Sequence, residues 1–277
     1  MARLYTFSTT PAYGHPFYIE GEFFPDQMFA TANQNLKQMK ATLIGYGRMG
    51  REIEKLLPTV GLELAATIDN EEEWAACAEA FRTSDVAIEF STPDTVIGNL
   101  RRCFDAGVPV VCGTTGWYDR SEEVLEHCRR TSNALVYGSN FSIGANLFFK
   151  INELTAQMMN RQTQYDVTVE ETHHTAKKDA PSGTAITTAN LIIDHLDRKT
   201  GWKLNATDNP ADIQVTAHRI GNEPGTHVVR YQSDNDLIEI THRAFDRTIF
   251  AQGAVRAARW LIDHKGIYEF KEIFLEV

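Results

Sequence analysis

Short apolar runs alternate with helical stretches from residue 40 onward. Residues 41–44 form a first run that ends at Gly45, and Ile53, Leu56 and Leu57 then fall on one helical face. Leu62–Ile68 is a second run, closed by Asp69. Residues 86–90, 108–112 and 134–137 continue the series, with helical patterns through Leu100 and Cys103 and again near Val124 and Leu125. Buried strands separated by helices of about ten to fifteen residues imply βαβ units and a parallel sheet. The stretch predicts a Rossmann-type, doubly wound α/β domain over residues 39–141.

After Asn140 the rhythm changes. Residues 145–159 read as a long amphipathic helix, 165–171 as an alternating strand and 184–196 as a second helix. Residues 213–219, 227–232 and 237–241 read as three consecutive antiparallel strands joined by short turns such as Ser233-Asp234-Asn235. This predicts an α+β second domain, residues 142–247, with an open mixed sheet. The final helix, Thr248–Ile262, carries Ile249, Ala254, Val255, Ala258, Leu261 and Ile262 on one side, and residues 248–277 are expected to return to the first domain.

Residues 1–38 do not share this pattern. They are rich in aromatics, among them Tyr5, Phe7, Tyr13, Phe17, Tyr18, Phe23, Phe24 and Phe29, but have no sustained period. No apolar stretch follows Arg3, so a secretory signal is not expected. Met39 stands directly before the first strand. Residues 1–38 are therefore either an upstream start or an extension that packs on the fold.

Composition narrows the function classes. Of 277 residues, 43% are hydrophobic and 23% charged, which excludes a disordered or coiled-coil chain. No run approaches the roughly 18 apolar residues of a membrane helix, so no membrane partner is expected. The formal net charge is −10, from 37 acidic and 27 basic residues, and offers no basic footprint for nucleic acid. Cys77, Cys103, Cys112 and Cys128 include no C-x-x-C pair and read as reduced, structural thiols. A cytoplasmic location is the expectation.

Three groups of residues carry chemistry. Gly45-Tyr46-Gly47-Arg48-Met49-Gly50 follows a strand and opens a helix. In such a loop the first glycine makes the turn, the second lets backbone approach a pyrophosphate, and the third lets helix pack on strand. Asp69 ends the second strand, where an acid meets the adenosine ribose. Strand exits at Phe90-Ser91-Thr92-Pro93, Gly113-Thr114-Thr115-Gly116 and Gly138-Ser139-Asn140-Phe141 add small and polar clusters at the carboxyl edge of the sheet. The third group is Glu170-Glu171-Thr172-His173-His174-Thr175-Ala176-Lys177-Lys178-Asp179-Ala180-Pro181-Ser182-Gly183-Thr184-Ala185. Its helix start at Ser182-Gly183-Thr184 suits an anion, Lys177 adds a point charge, and a histidine suits acid catalysis near neutral pH. Two other readings stand beside this one. One is a solvated loop in which Ser182 merely caps a helix. The other is a metal site drawn from His173 and His174 with Glu171 or Asp179, although adjacent histidines in extended chain point to opposite sides.

This third group resembles the signature of the dihydrodipicolinate reductase family of the lysine and diaminopimelate pathway. The similarity runs over residues 39–277 and includes the glycine loop, the Gly113 loop, Asn140-Phe141-Ser142-Ile143-Gly144, Ile240-Thr241-His242-Arg243 and Gly253-Ala254-Val255-Arg256. Residues 1–38 have no counterpart. The resemblance implies NADH- or NADPH-dependent reduction of a cyclic, unsaturated dicarboxylate. It implies His173 as proton donor and Lys177 as second donor and carboxylate partner, with His174, Ser182, Gly183 and Thr184 completing the substrate site. Cofactor contacts carry over to Gly45, Tyr46, Gly47, Arg48, Met49, Gly50, Asp69, Gly113, Thr114, Thr115, Gly138, Ser139, Asn140 and Phe141, and no metal is implied. It also implies a homotetramer built by pairing the open sheets, for which strands 213–219 and 237–241 are expected to offer a second apolar face. Asn70 stands after Asp69 where some family members carry a basic residue, and the acids Glu71, Glu72 and Glu73 that follow are expected to repel the phosphate of NADPH, while Arg48 attracts it; NADH is favoured, with dual use. Two other classes compete: a dehydrogenase using Cys112 as nucleophile, and a sensor that binds NAD without turnover.

Overall fold

The computed structural model describes residues 38–277. The expectations for residues 1–37 lie outside the described residues. β1 (Met39–Ile44) leads into α1 (Arg48–Leu56). β2 (Leu62–Ile68) leads into the short α2 (Glu71–Ala76) and α3 (Ala78–Arg82). β3 (Val86–Glu89) is followed by α4 (Val96–Ala106), and β4 (Val110–Cys112) by α5 (Ser121–Arg130) and β5 (Ala134–Tyr137). The second half contains α6 (Ile143–Met159), β6 (Asp166–His173), α7 (Gly183–Ile193), β7 (Gly201–Leu204), β8 (Asp212–Arg219), β9 (Gly225–Gln232) and β10 (Leu237–Ala244). The chain ends with α8 (Thr248–Ile262), β11 (Gly266–Glu269) and α9 (Phe270–Ile273).

Among the described residues the first sheet has the order β11-β5-β4-β3-β1-β2, with every pair parallel. All four residues of β3 are buried, as a strand covered on both faces requires. Burial of Leu43, Val86, Ile88 and their neighbours contributes about 1.5–3 kcal/mol per side chain. α1 and α8 cover one face, while α4 and α5 cover the other. The strand order reverses between β1 and β3, which opens a crevice at their carboxyl ends. Two strands escaped the sequence pattern: β7, and β11, which pairs with β5 as the sixth strand.

β6 is central in the second sheet, whose order is β10-β9-β6-β8-β7. β8 runs parallel to β6 and β7, whereas β9 runs antiparallel to β6 and β10. The sheet is mixed, as expected, but the expected series of three consecutive antiparallel strands is corrected. Only β9 and β10 form a hairpin, and β6 separates β8 from β9. Loop 220–224 carries the chain over the end of β6. There Ile220 N–H donates to the His173 carbonyl at 2.8 Å, and Thr175 N–H to that of Gly221 at 3.1 Å. Five turn-rich residues resemble a hairpin in sequence, yet they suffice to cross the roughly 10 Å between strands two places apart.

The inner face of this sheet is apolar over most of its length. Val167, Val169, Ile213, Val215, Val229 and Tyr231 pack beneath Phe148 and Ala156 of α6 and Ala185, Ala189 and Ile192 of α7. The outer face carries Gln214, Thr216 and His218 on β8, Glu170 on β6, Arg230 on β9, and Glu239 and Thr241 on β10. Arg230 bridges Glu170 at 2.6 Å and Glu239 at 2.8 Å. The second apolar face expected from strands 213–219 and 237–241 is thereby corrected to a largely polar, ion-paired surface. Alternation placed the apolar residues of both strands, Leu237 excepted, on the face that carries Val229 and Tyr231.

α8 lies close to the first lobe because its contact residues are small. Ala251, Gly253, Ala254, Ala257 and Ala258 are all buried. A Cβ on Gly253 would overlap the Phe141 carbonyl, so Gly253→Ala should destabilise by about 1–3 kcal/mol. Gly98, on the exposed side of α4, has nothing within 4 Å of its missing Cβ, so Gly98→Ala should instead stabilise by about 0.5–1 kcal/mol. Thermal melting of the two variants, with opposite signs expected, checks this account of the packing.

Candidate active site

The glycine loop has the geometry its sequence predicts. Gly45 has φ +90°, and a Cβ there would overlap the Phe90 carbonyl. A Cβ on Gly50 would overlap the Gly45 carbonyl. Gly47, the N-cap of α1, has nothing within 4 Å of its Cβ position, and no side chain caps the helix. The first-turn N–H groups are therefore free for a phosphate beside an open backbone. Asp69 accepts the Tyr46 N–H on Oδ1, and its own N–H donates to Glu73 at 2.6 Å. Asn70 caps α2 by accepting the Glu73 N–H at 2.9 Å. Glu71 is held by Arg102 at 2.7 Å. Two of the three acids expected to repel a 2′-phosphate thus have partners of their own. These residues fit a dinucleotide: a cradle without side chains, a free helix start and a carboxylate about one strand away.

The other strand exits divide. Gly138, Ser139 and Asn140 line a cleft of about 480 Å³ together with His173, Lys177, Ser182, Gly183, Thr184 and Lys271. Phe141 does not join them. Its ring is 2% exposed and packs on Phe90 and Phe270 at ring separations of 5.8 and 4.6 Å, so its side chain belongs to the core. Thr114 is likewise buried, which leaves Gly113 and the exposed Thr115 as the outward part of that loop. Neither of these, nor Asp69, lines the cleft. Cys112 is fully buried, and burial, with the Glu89 carboxyl beside it, pushes its thiol well above the usual range. A nucleophilic thiolate at that position is disfavoured.

β6 delivers the central residues. Its inner face reads Val167, Val169, Glu171, His173, so the apolar row turns polar at the strand's carboxyl end. Glu171 is 0% exposed and accepts three donors: His173 Nδ1–H on Oε2, and Arg219 at 2.9 Å and Ser182 N–H at 3.1 Å on Oε1. Burial raises its pKa, but the bonds and charges of His173 and Arg219 outweigh burial and hold it at about 2. His227, opposite Glu171 on β9, is 5% exposed and lies 3.1 Å from Ser182 Oγ through Nε2. Burial, then the neighbouring His173, drives its pKa down to about 3, so it is neutral. Ser182 caps α7 by accepting the Ala185 N–H at 3.2 Å.

His173 and His174 part company at the strand end, as extended backbone demands. His174 turns towards Arg247, whose Nη2 approaches its Nε2 at 3.4 Å. Lys177 pairs with Asp179 at 2.7 Å at the mouth of the cleft. A second cavity of about 290 Å³ brings together Met49 of the glycine loop, Asn140, His173, His174, Lys177 and Thr184, with His227, His242 and Arg247. His173, Lys177, Asn140 and Thr184 border both cavities. Four side chains here were not anticipated in roles, Arg219, His227, His242 and Arg247, and Glu171 entered only as a ligand in the alternative metal reading. For Glu171 and His227 a signal existed, because period two places them on the buried face in line with Val169 and Val229.

Glu171, His173 and His227 also offer ligand atoms within 4.8 Å of one another. This is a different set from the His173–His174 pair considered from sequence. Arg219 already shares Glu171, and its positive charge opposes a cation there. No helix among the described residues is long and apolar enough to cross a membrane.

Comparison with known proteins gives one family. Residues 39–141 match the profile of dihydrodipicolinate reductase, N-terminus, and residues 144–274 that of dihydrodipicolinate reductase, C-terminus. The 4-hydroxy-tetrahydrodipicolinate reductase of Christiangramia forsetii is 41% identical over 239 residues, covering 86% of this chain and 99% of the relative. That of Methanoculleus marisnigri is 35% identical, covering 82% and 95%. The solved structure of dipicolinate-bound dihydrodipicolinate reductase from Paenisporosarcina sp. TG-14 shares the fold, with a TM-score of 0.69 at 21% identity over 85% of this chain and 99% of that one. On both halves of its described length, this chain belongs to the dihydrodipicolinate reductase family.

Proposed function

We propose that the chain converts 4-hydroxy-tetrahydrodipicolinate to tetrahydrodipicolinate in lysine and diaminopimelate biosynthesis, the 4-hydroxyl leaving as water and the resulting unsaturated ring taking up hydride and a proton, with His173 as proton donor. The observation that carries this reading is the position of His173 on the border of both cavities, between the glycine-loop residue Met49 and the α7 helix start. A nicotinamide cofactor, when bound, supplies the hydride. The chain's own residues do the rest. Lys177 and the N–H groups of Gly183 and Thr184 offer positive charge and donors to the substrate carboxylates, with His174 beside them. His173 turns Nε2 away from Glu171 and gives its proton to the ring position left electron-rich after reduction of its neighbour. Gly225 makes room for that ring, since a Cβ there would stand 3.0 Å from Nε2.

NADH is the favoured cofactor in this reading, with NADPH also used. Asp69 supports it by offering a carboxylate oxygen to a free ribose diol, and Arg48 is the cation near enough in sequence to accept a 2′-phosphate. The enzyme works as a homotetramer in the cytoplasm, joined through the ion-paired outer sheet face rather than an apolar one.

Three outcomes test these roles. His173→Gln should lower kcat by about 10²–10⁴-fold with little change in substrate KM. Lys177→Met should lower kcat and also raise KM, because a carboxylate contact exists in the ground state as well. Neither should alter NADH affinity; His173→Gln that loses NADH binding but keeps kcat at saturation refutes the donor assignment. Asp69→Ala should weaken NADH more than NADPH in fluorescence titrations, and equal losses would remove Asp69 from the ribose. Light scattering at micromolar concentration should give four times the chain mass, and a monomeric mass would refute the assembly.

A further inference from the structure

Glu171 sits where an apolar residue would continue the core. Val167 and Val169 precede it on the same face of β6, and it has no exposure to solvent. Taking a carboxylate out of water costs several kcal/mol before its partners compensate, so an ion pair at such a place is weak grounds for a stabilising role. Its partners point elsewhere. One oxygen holds the imidazole of His173. The other holds the Ser182 N–H, which belongs to the N-cap of α7, and the Arg219 guanidinium. Arg219 in turn donates to the Asp179 carbonyl, in the loop that carries Lys177. All three donors lead to the two parts of the site, the proton donor and the carboxylate-binding helix start.

We infer that Glu171 is a positioning residue: its buried carboxylate fixes His173 with the proton on Nδ1, turns Nε2 to the cleft, and ties the start of α7 to the same point. This rests on His173 being the proton donor. The bond to Nδ1–H decides which ring nitrogen faces the substrate: with Nδ1–H held by the carboxylate, Nε2 is the nitrogen left to carry the proton that is given. The helix start and the acid then keep a constant separation because they share one carboxylate, and the substrate's carboxylates and reacting carbon need that fixed spacing. Arg219 keeps the charge in place from β8.

A double-mutant cycle tests this in the full-length enzyme at saturating NADH. Glu171→Gln keeps the shape and removes the charge; it should lower kcat about 10²-fold while NADH affinity stays within about twofold of wild type. In the His173→Gln background the same change should cost little further in kcat, because on the proton step Glu171 acts through the imidazole, while its tie to α7 should raise substrate KM in both backgrounds. Independent losses that multiply in the double variant overturn the inference. So does a Glu171→Gln enzyme with kcat near wild type and only a lowered melting temperature, the mark of an ordinary buried carboxylate. A fast His173→Gln enzyme is a separate result: it overturns the donor assignment itself. If Glu171→Gln fails to fold, Arg219→Lys takes its place in the cycle, with about a tenfold loss expected that vanishes in the His173→Gln background.

Discussion

The carboxylate of Glu171 is the point at which the strand, the neighbouring strand and the helix of the second lobe meet. It is fully buried and charged, and it would be costly alone; removing one partner of such a group typically costs about 3–5 kcal/mol. Three donors prevent that, and each arrives from a different element: His173 from β6, Arg219 from β8 and Ser182 from the start of α7. The low pKa of Glu171, about 2, is the electrostatic measure of how well this arrangement suits the ionised form. His227 shows the converse. It lies across the ladder from Glu171, but burial and the nearby His173 keep it neutral, so that it serves Ser182 by hydrogen bonding rather than by charge.

This anchor has value only because the first lobe aims its loops at it. The parallel sheet delivers every strand exit to one edge, and the reversal of strand order between β1 and β3 opens the crevice there. Gly45 and Gly50 let chain segments touch where a side chain would overlap backbone, which brings Met49 to the cavity that His173 borders. Phe141 performs the matching task from the side. Its ring locks the β5 exit into the core against Phe90 and Phe270, so that Ser139 and Asn140 project into the cleft. The ring of Phe141 thus works by packing, while its two polar neighbours line the cleft.

What could be read from sequence follows a physical rule. The first lobe was legible because a doubly covered strand must be an unbroken apolar run, and the runs ending at Gly45 and Asp69 could hardly be anything else. Glycine loop, strand exits and the His173 to Thr184 loop were legible because their chemistry is local in the chain. The order of the second sheet was not. Nothing in residues 220–224 tells whether the chain turns back at once or steps over β6, since the partner that decides it, the end of β6, lies about 50 residues earlier in sequence. Arg219 and His227 were missed for the same reason: each acquires its role from a neighbour across the ladder. β11 was missed because four residues with little alternation carry almost no pattern, and its place in the sheet comes from the open edge of β5.

Two doublets in β6 show how closely the chemistry depends on register. Glu170 and Glu171 are adjacent and acidic, yet Glu170 belongs to the outer ion-pair row with Arg230, and Glu171 to the buried site. His173 and His174 divide in the same way, one held by Glu171 and the other turned to Arg247. A slip of one residue would exchange the members of both pairs and bury Thr172 where His173 belongs. Polar residues cannot prevent that slip, because either glutamate would satisfy a hydrogen bond equally well. Val167 and Val169 can, since a slip would expose both of them and bury Asp166 and Thr168. β6 is also paired on both edges, with β8 and with β9, so the penalty would be paid along its whole length. The apolar half of the strand therefore sets which carboxylate and which imidazole face the cleft, and the hydrophobic core specifies the geometry of that polar cluster through period two.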